Sequence, residues 1–160
     1  MIENLDDEIE SFIKLAEEHG VEMLMIGGGA VNFHGYQRHS ADVDFWIDIS
    51  EENLDKLLQV FKDIGYDIEE IPKKVRDGEQ NISLKFSPVG LYVELITRFS
   101  INKSFEEAYK DSEIVKIKRG DQLLKWHVIN FEDLITSKIK SGRPKDMLDI
   151  QELKRIKGEK

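Results

Sequence analysis

The most constraining feature of the sequence is a glycine run between two short predicted strands. Met23–Ile26 is apolar and leads into three glycines at 27–29, followed by a segment that favours two helical turns. Residues 42–48 then alternate in polarity, which predicts a strand with Asp42 and Asp44 on one face. The chain must therefore form a strand, a tight turn, a helix and a second strand within its first 48 residues.

The remaining pattern predicts a single α+β domain over 1–160, with a mixed sheet backed by helices. Short helices and strands follow one another along the chain, and turn residues separate them. The first predicted element is a helix with Leu5, Ile9, Phe12, Ile13 and Ala16 at helical spacing, closed by His19 and Gly20. After the aspartate strand come a helix capped by Ser50 and ended by Gly65, a strand over 66–71, an exposed loop over 73–80 and a hairpin of 81–86 and 91–96. The last predicted elements are a helix with a Ser104–Glu107 capping box, a hairpin of 113–118 and 122–128, a helix from Asn130 to about Ser141, and a helix from Pro144 with Leu148, Leu153 and Ile156 on one side.

Composition restricts the chemistry of the chain. Cysteine is absent, so any metal must be held by oxygen or imidazole ligands. No apolar run approaches the roughly 20 residues that span a bilayer, and the first ten residues are acidic, unlike a signal peptide. We expect a soluble, cytoplasmic protein with no membrane partner.

Charge is distributed unevenly along the sequence. The formal net charge of −9 argues against broad, sequence-independent binding of nucleic acid. Residues 1–114 carry 11 Lys and Arg against 25 Asp and Glu, whereas residues 115–160 carry 12 against 7. The basic segment is interpreted either as solvated helix faces or as a wall that faces bound polyphosphate.

Asp42 and Asp44 are the first candidates for chemistry. Two positions apart on a strand, their carboxylates share a face at a spacing of about 6.6 Å along the chain. A divalent cation would relieve their repulsion, and Mg²⁺ favours a few carboxylates together with phosphate oxygens. The alternative is a solvated strand face.

Gly27 and Gly28 also have two interpretations. Their backbone N–H groups either bind phosphate or belong to a turn that needs positive φ.

His34 and Trp46 are interpreted as structural residues. A single histidine in a short helix is usually a packed or hydrogen-bonded group, and Trp46 is expected to cover part of the sheet although it shares the face of the aspartates. Four scattered histidines support neither a Ser-His-Asp set nor a histidine metal cluster.

Three segments in order resemble the nucleotidyltransferase superfamily, which has the polymerase beta-like fold. They are GGGAVNFHGYQRHSADVDFWID, VELITRFS and INFEDLITSKIKSGRPKDMLDIQEL. The chain looks closest to small bacterial nucleotidyltransferases of the AbiEii toxin type and their uncharacterised relatives. This resemblance covers most of the sequence.

The resemblance implies a role for ten residues. The implied catalytic and metal-binding residues are Asp42, Asp44 and Glu94, and the implied phosphate-binding residues are Gly27, Gly28, Arg38, Ser40, Lys138, Arg143 and Lys145. Glu94 departs from the aspartate of the family pattern, which puts catalytic competence in doubt. Arg38 is expected either to bind phosphate or to pair with an acid of the site.

The implied activity is metal-dependent transfer of a nucleoside monophosphate from an NTP to an acceptor hydroxyl, with Mg²⁺ or Mn²⁺ as cofactor. The acceptor is left open among tRNA, a protein hydroxyl and a small molecule. The toxin-like resemblance adds an antitoxin as a candidate partner. The alternative is a catalytically inactive module that keeps the fold and acts by binding a partner.

Overall fold

Thirteen helices and strands make up the described part of the chain, which comprises residues 7–37, 42–86 and 92–158 of a computed structural model. The helices are α1 (Asp7–Glu18), α2 (Gly27–Phe33), α3 (Glu51–Ile64), α4 (Lys73–Arg76), α5 (Phe105–Lys110), α6 (Phe131–Ser141) and α7 (Pro144–Lys157). The strands are β1 (Met23–Ile26), β2 (Asp42–Ile47), β3 (Ile82–Lys85), β4 (Tyr92–Ile96), β5 (Glu113–Arg119) and β6 (Gln122–Val128). Across these ranges, no helix combines the length and the apolar character that crossing a membrane requires.

The strands form one mixed sheet in the order β3-β4-β2-β1-β6-β5. Strand β2 runs parallel to β4, and β1 runs parallel to β6, whereas the other neighbouring pairs are antiparallel. The register aligns Ile26, Asp44, Glu94 and Ser83 in one row across four adjacent strands. The sheet and the helices that flank it confirm the predicted α+β class.

Two amphipathic helices supply much of the apolar packing. Helix α1 buries Ile9, Phe12, Ile13 and Ala16, as the spacing of its apolar residues predicts. Helix α3 begins and ends where the sequence indicates. Its N-cap, Ser50, accepts a hydrogen bond from a backbone N–H in the first turn, and Gly65 closes it in the left-handed conformation at φ 110°.

The structure also confirms the predicted caps and hairpins further along the chain. Ser104 and Glu107 form the expected capping box of α5, and Asn130 caps α6. Strands β3 and β4 pair with each other, as do β5 and β6.

Residues 66–80 differ from the prediction. No strand forms over 66–71; instead Ile71 is buried and Ile68 packs partly against the core, a spacing of three residues that does not suit the two-residue period of a strand. The segment 73–80 was predicted to be an exposed loop, yet it contains the single helical turn α4, which begins after Pro72 and inserts Val75 into the core.

The predicted apolar side of α7 is confirmed at Leu153, which is buried, and is wrong at its other two residues. Leu148 and Ile156 are 50% and 41% exposed, whereas the buried residues of the helix are Asp146, Asp149, Ile150 and Leu153. Two carboxylates lie inside because they pair with a buried lysine of α6. A hydrophobic pattern cannot predict a helix face that is buried through ion pairs.

Asn53 on α3 joins the ends of two central strands. Its amide accepts a hydrogen bond from Glu22 N at 2.7 Å and donates to Glu22 O at 3.0 Å and Asp48 O at 2.7 Å. The residue is 4% exposed, so these backbone groups depend on it for partners.

We expect Asn53→Ala to lower the free energy of unfolding by roughly 2–4 kcal/mol, because it removes three hydrogen bonds between a nearly buried amide and the backbone at the ends of β1 and β2. Urea denaturation followed by circular dichroism measures this change. Asp55→Ala, at an exposed position of the same helix, is the control and should stay within about 0.5 kcal/mol of the parent. Equal effects of the two substitutions would contradict the role given to Asn53.

Candidate active site

The row across the sheet brings the predicted carboxylates together. Asp44 on β2 lies beside Glu94 on β4, and Asp42 lies on the same strand face as Asp44, opposite Tyr92. All three acids are half-buried. The parallel pairing of β2 with β4 therefore assembles side chains that are 50 residues apart in the sequence.

Electrostatic repulsion within this group is strong. Burial, together with the negative charges of Asp42 and Glu94, raises the pKa of Asp44 to about 7, and Lys138 opposes this effect. The charge of Asp42, followed by burial, likewise raises the pKa of the Tyr92 hydroxyl. A group of carboxylates that repel one another favours the binding of a cation.

The carboxylates of this site can supply part of the ligand shell of Mg²⁺. Within the described ranges, no group of three or more His, Asp or Glu side chains is arranged to hold a metal ion by itself. The carboxylate of Glu94 instead accepts a hydrogen bond of 2.5 Å from Ser83 Oγ. Mg²⁺ commonly binds through one or two carboxylates and completes its shell with water and substrate phosphates, so the Asp42–Asp44 pair is a suitable donor set.

Gly27 has two reasons to be glycine. Its φ is +61°, and a Cβ placed there would lie 2.6 Å from Asp44 Oδ2. The turn therefore needs both the left-handed backbone and the missing side chain. Gly28 is buried within the first turn of α2, a helix of seven residues.

A cavity of about 210 Å³ opens beside this turn. Gly27 and Asp44 form one wall, and Lys138 and Arg143 contribute from the C-terminal helices. The other lining residues are Ile26, Ile96, Phe99, Ser137, Ser141 and Asp146. The structure thus joins four predicted site residues from β2, α2, α6 and the start of α7 in one cleft.

Lys138 lies in the wall rather than at the surface. Its side chain is 6% exposed, and its Nζ lies 3.3 Å from Asp146 Oδ1 and 3.0 Å from Asp149 Oδ2. Both carboxylates are almost completely buried. The ammonium group is therefore occupied by two acids and acts on Asp44 through its electrostatic field.

Arg143 lies at the mouth of the cavity, with its side chain 56% exposed. The guanidinium donates to both oxygens of Asp146, from Nε at 2.7 Å and from Nη2 at 3.1 Å. Burial alone would raise the pKa of Asp146, but hydrogen bonds from Arg143 and Ser141 and the charge of Lys138 outweigh it and lower that pKa. The ionised Asp146 fixes the direction of the guanidinium.

The other predicted phosphate contacts stay predictions. Lys145 is exposed on the first turn of α7, outside the lining of the cavity. Arg38 and Ser40 lie outside the described residues. The sequence did not predict the contacts of Ser83 and Asp149. The contact of Ser83 with Glu94 depends on the register of β3, and that of Asp149 with Lys138 depends on the buried face of α7. Periodicity reveals neither.

A known protein family and a solved structure are similar to this chain. The sequence model of a family described as nucleotidyltransferase of unknown function (DUF6036) matches residues 2–157. The chain belongs to this nucleotidyltransferase family. A crystal structure of an antigenic nucleotidyltransferase-like protein from Paracoccidioides brasiliensis is similar, with a TM-score of 0.55 and 19% identity, covering 95% of this chain and 78% of that chain. At this identity the similarity shows a shared fold, and no curated protein gave a significant match.

For this nucleotidyltransferase-family chain we expect Asp44→Asn to stabilise the metal-free protein in a pH-dependent manner. Because the folded-state pKa is raised from 3.8 to about 7, ionisation of Asp44 costs no stability below pH 3.8 and its full cost above pH 7. The substitution should add about 2 kcal/mol at pH 8 and much less at pH 4.5. Calorimetric melting in EDTA tests this, with Asp55→Asn as control; equal gains at both pH values would contradict it.

We expect Lys138→Met to lower the free energy of unfolding by about 3–5 kcal/mol, because it removes the buried cation that Asp146 and Asp149 share, although Asp146 keeps its pairing with Arg143. Lys140→Met is the matched control: it lies on the same helix, and its Nζ contacts Ser100 Oγ at 3.3 Å in an exposed position. Urea denaturation at pH 7 compares the two. A small effect at Lys138 would mean that water or a rearranged side chain compensates the acids.

Proposed function

We propose that this chain transfers a nucleoside monophosphate from an NTP to an acceptor hydroxyl, with Mg²⁺ or Mn²⁺ as cofactor. The observation that carries the proposal is the row of carboxylates in which Asp44 and Glu94 pair across β2 and β4, next to the Gly27 turn. Arg143, a cationic side chain that lines the cavity beside Gly27 and Asp44, also supports the proposal. Membership of a family described as nucleotidyltransferase supports the same reaction class.

Asp42 and Asp44 are the proposed metal-binding pair, with Glu94 as the third carboxylate. Divalent ions bound there supply positive charge for the attacking and leaving oxygens of the reaction. Burial and the negative charges of Asp42 and Glu94 raise the pKa of Asp44, so a cation bound there would favour the ionised carboxylate. Lys138, held inside the wall, contributes a fixed share of that charge.

The remaining residues orient the substrate. The β- and γ-phosphates are proposed to lie along the Gly27–Gly28 turn, where the absence of a side chain at Gly27 lets the Asp44 carboxylate approach the turn closely. Arg143 faces the leaving phosphates, and Arg38, Ser40 and Lys145 are proposed as further contacts.

The chemical step follows from this arrangement. The oxygen of the acceptor hydroxyl forms a bond to the α-phosphorus while the bond from that phosphorus to the bridging oxygen of the β-phosphate breaks. Pyrophosphate leaves on the side of Gly27 and Arg143. Glu94, on the far side of Asp44 from the turn, orients the acceptor hydroxyl and receives its proton.

A second proposal is a catalytically inactive module that binds a partner, including an antitoxin in a toxin–antitoxin pair of the AbiEii kind. One observation favours it: Glu94 replaces the expected aspartate, and its carboxylate is bonded to Ser83. The acceptor proposals for the active form are tRNA, a protein hydroxyl and a small molecule.

The test combines Mg·NTP affinity with nucleotide transfer in three forms of the protein. Calorimetry with each of the four NTPs, with and without Mg²⁺, measures binding. Labelled NTPs in cell extract measure pyrophosphate release and show which molecule receives the label. We expect Glu94→Gln to keep NTP binding but to lose transfer by on the order of 10²-fold, since it removes orientation of the acceptor. Asp44→Asn should lose both.

The outcomes separate the two proposals. Binding that needs Mg²⁺, together with label transfer, supports the enzyme. Equal NTP affinity in EDTA contradicts the metal-bridged site. Binding without transfer to any component of the extract favours the inactive module, and full transfer by Glu94→Gln removes that residue from the mechanism. Asp55→Asn on α3 is the charge-matched control and should behave as the parent.

A further inference from the structure

Ser83 stands at the end of the carboxylate row, on the edge strand of the sheet. The register pairs it directly with Glu94, which in turn pairs with Asp44 on the next strand. Its hydroxyl donates a hydrogen bond of 2.5 Å to Glu94 Oε2. The sequence motifs of the glycine turn and the aspartate strand give no indication of a role for this serine.

We infer that Ser83 is a positioning residue for Glu94, an inference that rests on the proposed function. Glutamate has one more rotatable bond than aspartate, so a carboxylate in this position needs an additional restraint to stay oriented. Ser83 supplies it by binding one oxygen, Oε2, from the β3 side. The other carboxylate oxygen of Glu94 does not take part in this hydrogen bond and is the one proposed to serve the site.

Electrostatics supports the same role. Asp44 and Glu94 lie directly opposite each other in the register of β2 and β4, so their carboxylates repel each other across the strands. A hydroxyl donor on the opposite side disperses the charge of Glu94 and holds it in the row in spite of that repulsion. Outer partners of this kind commonly orient metal-binding carboxylates.

The position of Ser83 is itself fixed by a second contact between the two strands. Asn81 Oδ1 accepts a hydrogen bond of 2.9 Å from Thr97 N and lies 3.3 Å from Thr97 Oγ1. Thr97 is buried, so this contact holds the start of β3 against the end of β4. A slip of β3 by one residue would turn Ser83 to the opposite face and away from Glu94.

The experiment uses Ser83→Ala, Ser83→Thr and the double variant Ser83→Ala/Glu94→Gln. Mn²⁺ affinity of the nucleotide-free protein, measured by electron paramagnetic resonance, provides a readout that is independent of turnover. We expect Ser83→Ala to weaken Mn²⁺ binding and to lower kcat by about 10-fold each, with KM for the NTP unchanged. Ser83→Thr, which keeps the hydroxyl, should restore both.

The double variant separates positioning from a structural effect. If Ser83 acts through Glu94, Ser83→Ala should change neither Mn²⁺ affinity nor the residual transfer rate once Glu94 is glutamine. Ser11→Ala, at an exposed position on α1, is the control for loss of a surface hydroxyl. Melting temperatures of all variants show whether the strand remains folded.

Two results would overturn the inference. Unchanged or tighter Mn²⁺ binding in Ser83→Ala would mean that the hydroxyl does not orient Glu94 for the site, and failure of threonine to restore function would mean the same. If Ser83→Ala is silent while Glu94→Gln loses transfer, the positioning role is wrong and the proposed function stands. If Glu94→Gln also keeps full transfer, Glu94 has no role in the mechanism and the positioning role of Ser83 is wrong with it; the proposed function itself fails if the parent protein transfers no label.

Discussion

The register of β2 between β1 and β4 is the constraint on which the candidate site depends. It places Asp44 beside Ile26 on one neighbour and beside Glu94 on the other. A shift by one residue would bury both aspartates of β2 and expose Val43 and Phe45, so the burial of the alternate face fixes the register. The same packing that stabilises the sheet therefore forces like charges together at its surface, and the protein retains a local repulsion that a bound cation would relieve.

The positively charged side chains of Lys138 and Arg143 offset that repulsion only in part. Lys138 is neutralised by Asp146 and Asp149, so its net effect on the cavity is smaller than a free ammonium would have. Arg143 is attached to the same network through Asp146 and lies closer to solvent. Among the described residues that line the cavity, Lys138 is therefore a buried cation and Arg143 an accessible one. Under the proposed function, metal ions would offset the remaining repulsion between the carboxylates and an anionic substrate.

The sequence predicted the local features well because they depend on neighbouring residues. The glycine turn, the aspartate strand, the Ser50 and Asn130 caps and the paired β5 and β6 strands all follow from short-range patterns. His34 was also interpreted correctly, since its ring contacts the carbonyl of Ile129 at 2.8 Å. Two features that depend on tertiary contacts were not predicted. The inward face of α7 follows from ion pairs. The Ser83–Glu94 hydrogen bond follows from the register of the predicted β3–β4 hairpin, which no period in the sequence encodes.

The topology of the sheet also determines when the fold can be completed. Strand β1 is followed in the sequence by β2, but its other neighbour is β6, whose residues come about 100 positions later. Until β6 is synthesised and docked, one edge of β1 has unpaired backbone groups beside a strongly apolar sequence. Such long-range parallel pairing is slow to form, and β1 cannot complete its pairing until β6 has left the ribosome. A version shortened before β6 would therefore be exposed to aggregation through that open edge.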